Sequence, residues 1–258
     1  MKRRKFLHTT STIAAATTVP LGCAAATNVL ETESQEENQK ELYEIRNYEM
    51  AWGGNVKVLM AYLKEALQPA MLRAGCTNFM LFEDVRSTSP RTLKAFIGYP
   101  DAATYIKAQN LESDAAFTAA SKAYAAIEKP IYNRFTSSLL VAFDGMPKLT
   151  APVDDASVFE LRYYEGYNED AVRRKIKMFN DEEIPLFFKV GLNPVFFGEM
   201  ISGPYRPCLV YMLNFTDMEA HGAAWKEFIN SPEWKTMKDK PIYANTVSNI
   251  RNYFLKPA

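Results

Sequence analysis

The chain has 258 residues, of which 48% are hydrophobic and 23% are charged. This balance is typical of a globular protein with enough apolar material for a core. The formal net charge is zero. The sequence therefore lacks the basic excess that marks nucleic-acid binding, and we expect no nucleic-acid partner.

Residues 1–26 resemble a bacterial export signal. Four basic residues at 2–5 precede a weakly apolar run over 11–21, and Arg3-Arg4-Lys5-Phe6-Leu7 is similar to the twin-arginine motif. The run is too short and too polar to span a bilayer. We expect export to the periplasm or cell envelope; the alternative is a disordered basic tail.

Two cleavage sites fit this segment. Leu21-Gly22-Cys23 resembles a lipoprotein box in which Cys23 carries lipid, whereas Ala24-Ala25-Ala26 offers a simple signal-peptidase site. A lipid on Cys23 would be the only contact of the protein with a membrane. Residues 27–41, rich in Glu, Gln and Asn, are expected to form a disordered tether.

The mature sequence falls into two segments, 42–143 and 158–258, joined by a linker over 144–157 that contains Gly, Pro and Asp. Each segment begins with a strand of period two. A helix, two strands, a second helix and a last strand follow. Each segment therefore has the predicted order β-α-β-β-α-β, which is the ferredoxin-like arrangement.

Local signals mark the limits of the first helix in each segment. Asn168 is a good N-cap for the helix of the second segment. Pro69 and Pro185 are expected to kink or split the helices. Gly75 and Gly191 stand where a helix end favours a left-handed residue.

The two segments repeat one another. Tyr43-Glu44-Ile45-Arg46-Asn47-Tyr48-Glu49 returns 116 residues later as Phe159-Glu160-Leu161-Arg162-Tyr163-Tyr164-Glu165. A period this long indicates a duplicated domain rather than a solenoid. Because a ferredoxin-like sheet has one bare face, two such sheets can cover each other. We predict an α+β fold in which the repeats pack sheet to sheet as a pseudo-dimeric α+β barrel with a lumen. Further homo-oligomerisation is compatible with this arrangement.

Cys76 and Cys208 are the cysteines of the mature segments, and they occupy different places in the two repeats. They form no C-x-x-C motif, so a disulfide framework and a structural zinc site are not expected. We expect reduced, buried thiols, no bound metal and no cofactor.

On each first strand a Glu, an Arg and a Tyr share one face: Glu44, Arg46 and Tyr48, then Glu160, Arg162 and Tyr164. We expect these side chains to face the lumen or its rim and the alternating apolar residues, such as Tyr43 and Ile45, to face the helices. In the lumen they would hold an anionic or carbonyl ligand. The alternative is an internal ion pair that fixes the packing of the two sheets.

His221 is the one histidine outside the export segment, and it shares a helix face with Trp225 and Phe228. It is interpreted either as a packed histidine or as a haem ligand or general base. Tyr105, Gln109 and Glu112 stand at the matching positions of the first repeat. Because aromatic residues favour small-molecule binding, we expect a ligand nearer the second repeat.

The strand motif of both repeats, together with Trp225-x-x-Phe228-x-x-Ser231-Pro232-Glu233-Trp234, resembles the NIPSNAP family. This resemblance implies the dimeric α+β barrel fold. It also implies a binding or adaptor role more than an enzymatic one, although relatives in the wider barrel group are small oxygenases, isomerases or haem-handling proteins.

These observations do not name a reaction, and no catalytic residue is assigned. The leading hypothesis is an exported protein that binds a small, partly apolar ligand in the barrel without catalysis. The alternative is a small barrel enzyme: a cofactor-independent oxygenase or isomerase, or a haem-handling protein.

Overall fold

The structure is a computed structural model that describes residues 39–86 and 92–258. The export segment with Cys23 and most of the tether lie outside the described residues, so the expectations for them remain predictions.

The described residues form eight strands in the predicted order. They are β1 Leu42–Glu49, β2 Asn78–Asp84, β3 Thr92–Tyr99, β4 Arg134–Ala142, β5 Val158–Glu165, β6 Pro194–Ser202, β7 Cys208–Phe215 and β8 Asn249–Pro257.

Eight α-helices lie between these strands: α1 Val56–Ala61, α2 Gln68–Ala74, α3 Ala102–Ala108, α4 Ala115–Ala125, α5 Glu169–Met178, α6 Ile184–Lys189, α7 Met218–Asn230 and α8 Pro232–Met237. π-helical turns at Tyr62–Leu67 and Phe179–Glu183 join α1 to α2 and α5 to α6, and Pro241–Tyr243 form a 3₁₀ turn. No helix in this part of the chain is long and apolar enough to cross a membrane.

The local signals act as predicted. Pro69 and Pro185 are the second residues of α2 and α6, directly after the π-helical turns. A proline cannot donate a helical hydrogen bond, so the helix is interrupted at this point in both repeats. Gly75 ends α2 with a φ of 110°, a left-handed conformation that glycine adopts without strain. The Asn168 side chain caps α5 by accepting from the Ala171 N–H at 2.8 Å.

The strands close into one barrel, which confirms the predicted fold class. Each repeat forms a four-stranded sheet, in the orders β4-β1-β3-β2 and β8-β5-β7-β6. The sheets join because β2 pairs with β8 and β4 pairs with β6, both antiparallel. The two seams involve residues 82–84 of β2 and 139–142 of β4, so each edge strand of one sheet is paired over part of its length with an edge strand of the other.

Apolar side chains from all eight strands fill the interior of the barrel. Tyr43 and Phe96 of the first repeat contact Phe196 of the second, with ring centroids 5.1 and 4.5 Å apart. We call this group the barrel core: Tyr43, Ile45, Phe82, Phe96, Leu140, Ala142, Phe159, Leu161, Tyr163, Val195, Phe196, Met200, Cys208, Val210, Met212 and Leu255. The expected lumen is thus occupied by protein, as in other small barrels whose side chains fill the centre.

The side chains of the first strands point in directions opposite to those expected. Tyr43 and Ile45 belong to the barrel core, whereas Tyr48 packs with helix residues of α1 and α2 outside the barrel. Strand alternation therefore places Glu44 and Arg46 on the helix side as well. The physical reason is that carboxylates and guanidinium groups need polar partners, which are present on the helix side of the sheets and not in the apolar barrel core.

Cys76 and Cys208 are free and buried. Burial raises the pKa of the Cys76 thiol to about 11 and that of Cys208 to about 12. Their thiols are therefore protonated at neutral pH and poorly reactive.

Replacement of Phe196 by Ala tests the barrel core. The side chain is fully buried, so we expect a loss of about 3–5 kcal/mol in the free energy of unfolding, measured by chemical denaturation. Phe188→Ala in α6 is the matched control, because Phe188 is 50% exposed. Equal losses in the two variants would contradict a packed interior.

Candidate functional site

The Glu160 carboxylate is the centre of a polar cluster between the second sheet and α7. Its Oε2 accepts from Trp225 Nε1 at 2.7 Å and lies 3.0 Å from His221 Nε2. Its Oε1 accepts from Arg162 Nη1 at 2.6 Å and from Asn252 Nδ2 at 2.8 Å. We call these five residues the Glu160 cluster. It unites four of the site residues proposed from the sequence for this repeat.

Three elements position the Glu160 cluster. β5 directs Glu160 and Arg162 to the helix side, and Asn252 lies opposite Arg162 on β8. His221 and Trp225 are one turn apart on α7, so both side chains reach the same carboxylate. The helical spacing read from the sequence therefore identified a true set of neighbours.

The charges of the Glu160 cluster balance each other. Burial opposes ionisation of Glu160, but the hydrogen bond from His221, the Arg162 charge and the Trp225 N–H outweigh it, and the pKa of this carboxyl is lowered. Burial also acts against the Arg162 cation, yet nearby tyrosines and Glu160 raise the pKa of its guanidinium. Both groups are therefore charged at neutral pH, and they form an ion pair there.

Aromatic rings enclose the Arg162 guanidinium. Its Cζ lies 4.8 Å from the centroid of Trp225 and 5.5 Å from that of Tyr164. Tyr164, the remaining proposed site residue of this repeat, accepts a hydrogen bond from the Tyr211 hydroxyl at 2.9 Å. Tyr164 therefore contributes to the wall of the cluster and does not touch Glu160 through a hydrogen bond.

A second buried ion pair lies nearby and was missed from the sequence. Lys175 Nζ donates to Glu183 Oε2 at 2.7 Å, and both side chains are almost fully buried. Burial raises the pKa of Glu183 although the Lys175 charge opposes this. A comparison of the two repeats could have revealed this pair. The matching positions of the first repeat, 116 residues earlier, are Leu59 and Leu67, so two charged residues replace two leucines.

The first repeat builds a related cluster from different partners. Glu44 accepts from the Tyr99 hydroxyl at 2.6 Å and the Ser137 hydroxyl at 2.6 Å, and its Oε1 lies 2.9 Å from Arg46 Nε. Arg46 Nη2 also donates to Gln109 Oε1 at 3.1 Å. These five residues are the Glu44 cluster.

Tyr48, proposed with Glu44 and Arg46, stacks beside this cluster. Its ring lies 5.2 Å from the rings of Tyr132 and Phe135. Burial raises the pKa of the Tyr48 hydroxyl to about 12, so it stays protonated.

A cleft of about 450 Å³ opens directly beside the Glu44 cluster. Arg46 and Gln109 form its polar wall, and the Arg46 Cζ lies 5.2 Å from the Phe135 centroid. The rest of the lining is mainly apolar: Leu67, Ala108, Asn110, Leu111, Glu112, Phe117 and Phe135. We call this space the first-repeat cleft.

Trp225 occupies the place of Gln109 in the second repeat. Its ring packs against Phe187 and Phe228 in addition to Arg162, with centroids 6.1 and 5.6 Å away for the two phenylalanines. The bulky indole therefore takes up space that remains open beside the shorter Gln109.

A larger groove, of about 530 Å³, lies between α6 and α8, lined in part by Pro185, Leu186, Pro232 and Met237. It contains none of the residues proposed from the sequence. Within residues 39–86 and 92–258, no three His, Cys, Asp or Glu side chains converge as a metal site.

Replacement of Glu160 by Gln tests the cluster. A buried arginine without its carboxylate is costly, so we expect a loss of about 3–5 kcal/mol in unfolding free energy at pH 7. Because the folded-state pKa is lowered from 4.5, the wild-type advantage is complete above that pH and disappears as pH falls through the folded-state value.

Denaturation across pH 2–7 measures this effect. The exposed Glu199→Gln on β6 serves as the control and should change little. A wild-type advantage that grows on acidification would contradict the assignment.

Comparison with known proteins adds to this geometry. The NIPSNAP family model matches residues 159–258. No functionally curated protein matches the chain. A NIPSNAP family protein of unknown function from Agrobacterium tumefaciens is 19% identical, with 42% of this chain and 95% of that chain covered and a TM-score of 0.36.

Two solved structures share the fold over most of their length. A candidate monooxygenase from Fusobacterium nucleatum is 9% identical, with 84% of this chain and 92% of that chain covered and a TM-score of 0.56. Another from Lactobacillus acidophilus is 10% identical, with coverages of 84% and 93% and a TM-score of 0.54. At such identities the likeness concerns the fold alone. Residues 159–258 match the NIPSNAP family model, and the chain has the fold of the dimeric α+β barrel group.

Proposed function

We propose that the protein binds a small, partly apolar ligand without catalysis, in the first-repeat cleft. The observation that carries this proposal is the juxtaposition of the Arg46–Gln109 polar wall with an apolar lining in a space of about 450 Å³. Ligand sites are typically concave, mostly apolar, and supplied with a few polar groups that orient the ligand.

The location differs from the barrel site expected from the sequence. The barrel core fills the interior with residues such as Tyr43, Phe96 and Phe196. A ligand there would have to displace packed aromatic rings, which is costly. The first-repeat cleft needs no such displacement.

The charges of the cleft favour a neutral ligand. Arg46 is already paired with Glu44, and its Nη2 donates to Gln109. An anion would therefore approach a site whose cation is neutralised. A ligand with a carbonyl or hydroxyl oxygen and an apolar body matches the Gln109 amide and the surrounding Phe117 and Phe135 rings.

We propose an asymmetry between the repeats that is opposite to the one expected from the sequence. The aromatic residues of the second repeat favoured a ligand site there. However, the Trp225 ring already contacts Arg162, and its N–H donates to Glu160. The smaller Gln109 leaves room beside Arg46. We therefore place the ligand in the first repeat.

Exchange of the two matched residues tests this placement. The probe is 6-propionyl-2-dimethylaminonaphthalene, a neutral aromatic ketone whose fluorescence reports an apolar environment. Gln109→Trp should fill the cleft and weaken probe binding by about tenfold or more, which corresponds to about 1.4 kcal/mol. Trp225→Gln is the reciprocal control and should leave binding in the first repeat intact.

Thermal unfolding of both variants shows whether the fold is kept. Weaker binding in Trp225→Gln alone would move the site to the second repeat. Full binding in Gln109→Trp would exclude the first-repeat cleft.

His221 is the observation that favours the enzymatic alternative. Glu160 orients its ring, as a carboxylate orients a catalytic histidine. However, Nε2 faces Glu160 at 3.0 Å and is not free to ligate a haem iron. A Soret band in the purified protein that disappears in His221→Ala would favour the haem-handling reading over the binding role.

We also propose that the protein is exported, with residues 1 to about 22 removed. The support is the twin-arginine-like start and the Cys23 box of the sequence. Mass spectrometry of the mature N-terminus should find diacylglyceryl-Cys23 or free Thr27. An intact Met1 in the cell would defeat both forms of the proposal.

A further inference from the structure

Lys94 is a buried lysine inside the barrel. It is the third residue of β3 and lies opposite Asn47, the third residue from the end of β1. Phe96, two residues further on, belongs to the barrel core, so alternation directs Lys94 into the barrel near one end. The residue is only 7% exposed.

The buried Lys94 ammonium group has few interaction partners. Lys94 Nζ donates to Asn47 Oδ1 at 2.7 Å and lies 4.5 Å from the centroid of Tyr253 on β8. Both partners are neutral. In the part of the chain that the structure describes, no carboxylate lies within ion-pairing distance of Lys94.

Other buried cations of the described residues are paired with carboxylates. Arg46 lies 2.9 Å from Glu44, and Lys175 lies 2.7 Å from Glu183. Burial of an unpaired ammonium is costly, and the cost disappears when the amine is neutral. Lys94 therefore stands in surroundings that favour a free amine.

The fold itself does not require a lysine here. The matching position of the second repeat, 116 residues later, is Val210, which is fully buried in the barrel core. An apolar residue would satisfy the same sheet, so packing alone does not account for Lys94.

We propose that Lys94 is a nucleophilic amine that forms a reversible imine with a small aldehyde or ketone at this end of the barrel. This site is separate from the first-repeat cleft and does not depend on the function proposed for it. Lysines desolvated in apolar surroundings are the ones that form Schiff bases.

The chemistry balances without an oxidant or reductant. The ammonium first releases a proton to solvent. The nitrogen lone pair then attacks the carbonyl carbon and forms an N–C bond. Loss of the carbonyl oxygen as water, with both remaining nitrogen hydrogens, breaks the C–O bond and leaves C=N. Hydrolysis reverses the sequence.

One charged group near Lys94 acts against the effect of burial on its pKa. Burial lowers the pKa of Lys94, whereas the negative charge of Asp84 on β2 raises it. From β1 the neutral Asn47 amide faces the amine, and from β8 the Tyr253 ring does so. Burial outweighs Asp84, which leaves more free amine near neutral pH than an exposed lysine has.

Reductive methylation of the full-length native protein tests the proposal. Formaldehyde is the probe, cyanoborohydride traps the imine at pH 7, and peptide mass spectrometry gives the rate at each lysine. We expect Lys94 to be modified faster than the exposed Lys57 and Lys235. Lys175, equally buried but paired with Glu183, is the internal control and should stay unmodified.

Asn47→Asp is the decisive variant, because it places the missing carboxylate beside the amine with almost no change in shape. We expect it to slow labelling of Lys94 by about tenfold or more, the effect of one pKa unit on the free-amine fraction. Thermal unfolding confirms that the variant folds.

Two results would overturn the proposal. If native Lys94 stays unmodified like Lys175, it is a structural ammonium. If labelling is unchanged in Asn47→Asp, the reactivity reflects access alone and not the missing carboxylate.

Discussion

Mutual burial of two sheet faces is the constraint on which this molecule depends. Each four-stranded sheet covers one face with its own helices and leaves the other bare. The bare faces meet in the barrel core, where Tyr43 and Phe96 of one repeat contact Phe196 of the other. Pairing of β2 with β8 and of β4 with β6 closes the edges. Without the other sheet, each of these faces would expose a large apolar surface to water, which is unfavourable.

Closure of the barrel also decides where the polar groups go. The barrel core is apolar, and Glu44 and Glu160 lie on the helix side, where polar partners surround them. The repeats satisfy these two carboxylates differently: hydroxyl groups of Tyr99 and Ser137 in one, His221, Trp225 and Asn252 in the other. In the second repeat the Trp225 indole fills the space that corresponds to the first-repeat cleft.

Duplication within one chain allows the two repeats to carry different residues at matched positions. In a symmetric dimer the same residue would occupy both sites, whereas here Gln109 and Trp225, or Lys94 and Val210, differ at matched positions. One repeat can therefore hold a cleft beside Arg46 while the other is filled. The barrel can likewise contain one lysine without a matching one. Both proposed sites depend on such differences between the repeats, which the fold alone does not dictate.

The sequence by itself determined the duplication, the strand and helix order, the helix ends at Gly75 and Asn168, and the grouping of His221 with Trp225. These features follow from local spacing and from comparison of the repeats. Only the tertiary structure decided which face of β1 points inward, because alternation groups residues by face without saying which face the helices cover. It also decided the Lys175–Glu183 pair, the filling of the barrel and the position of the cleft. Those depend on side-chain volumes and charges that meet only when distant segments pack together.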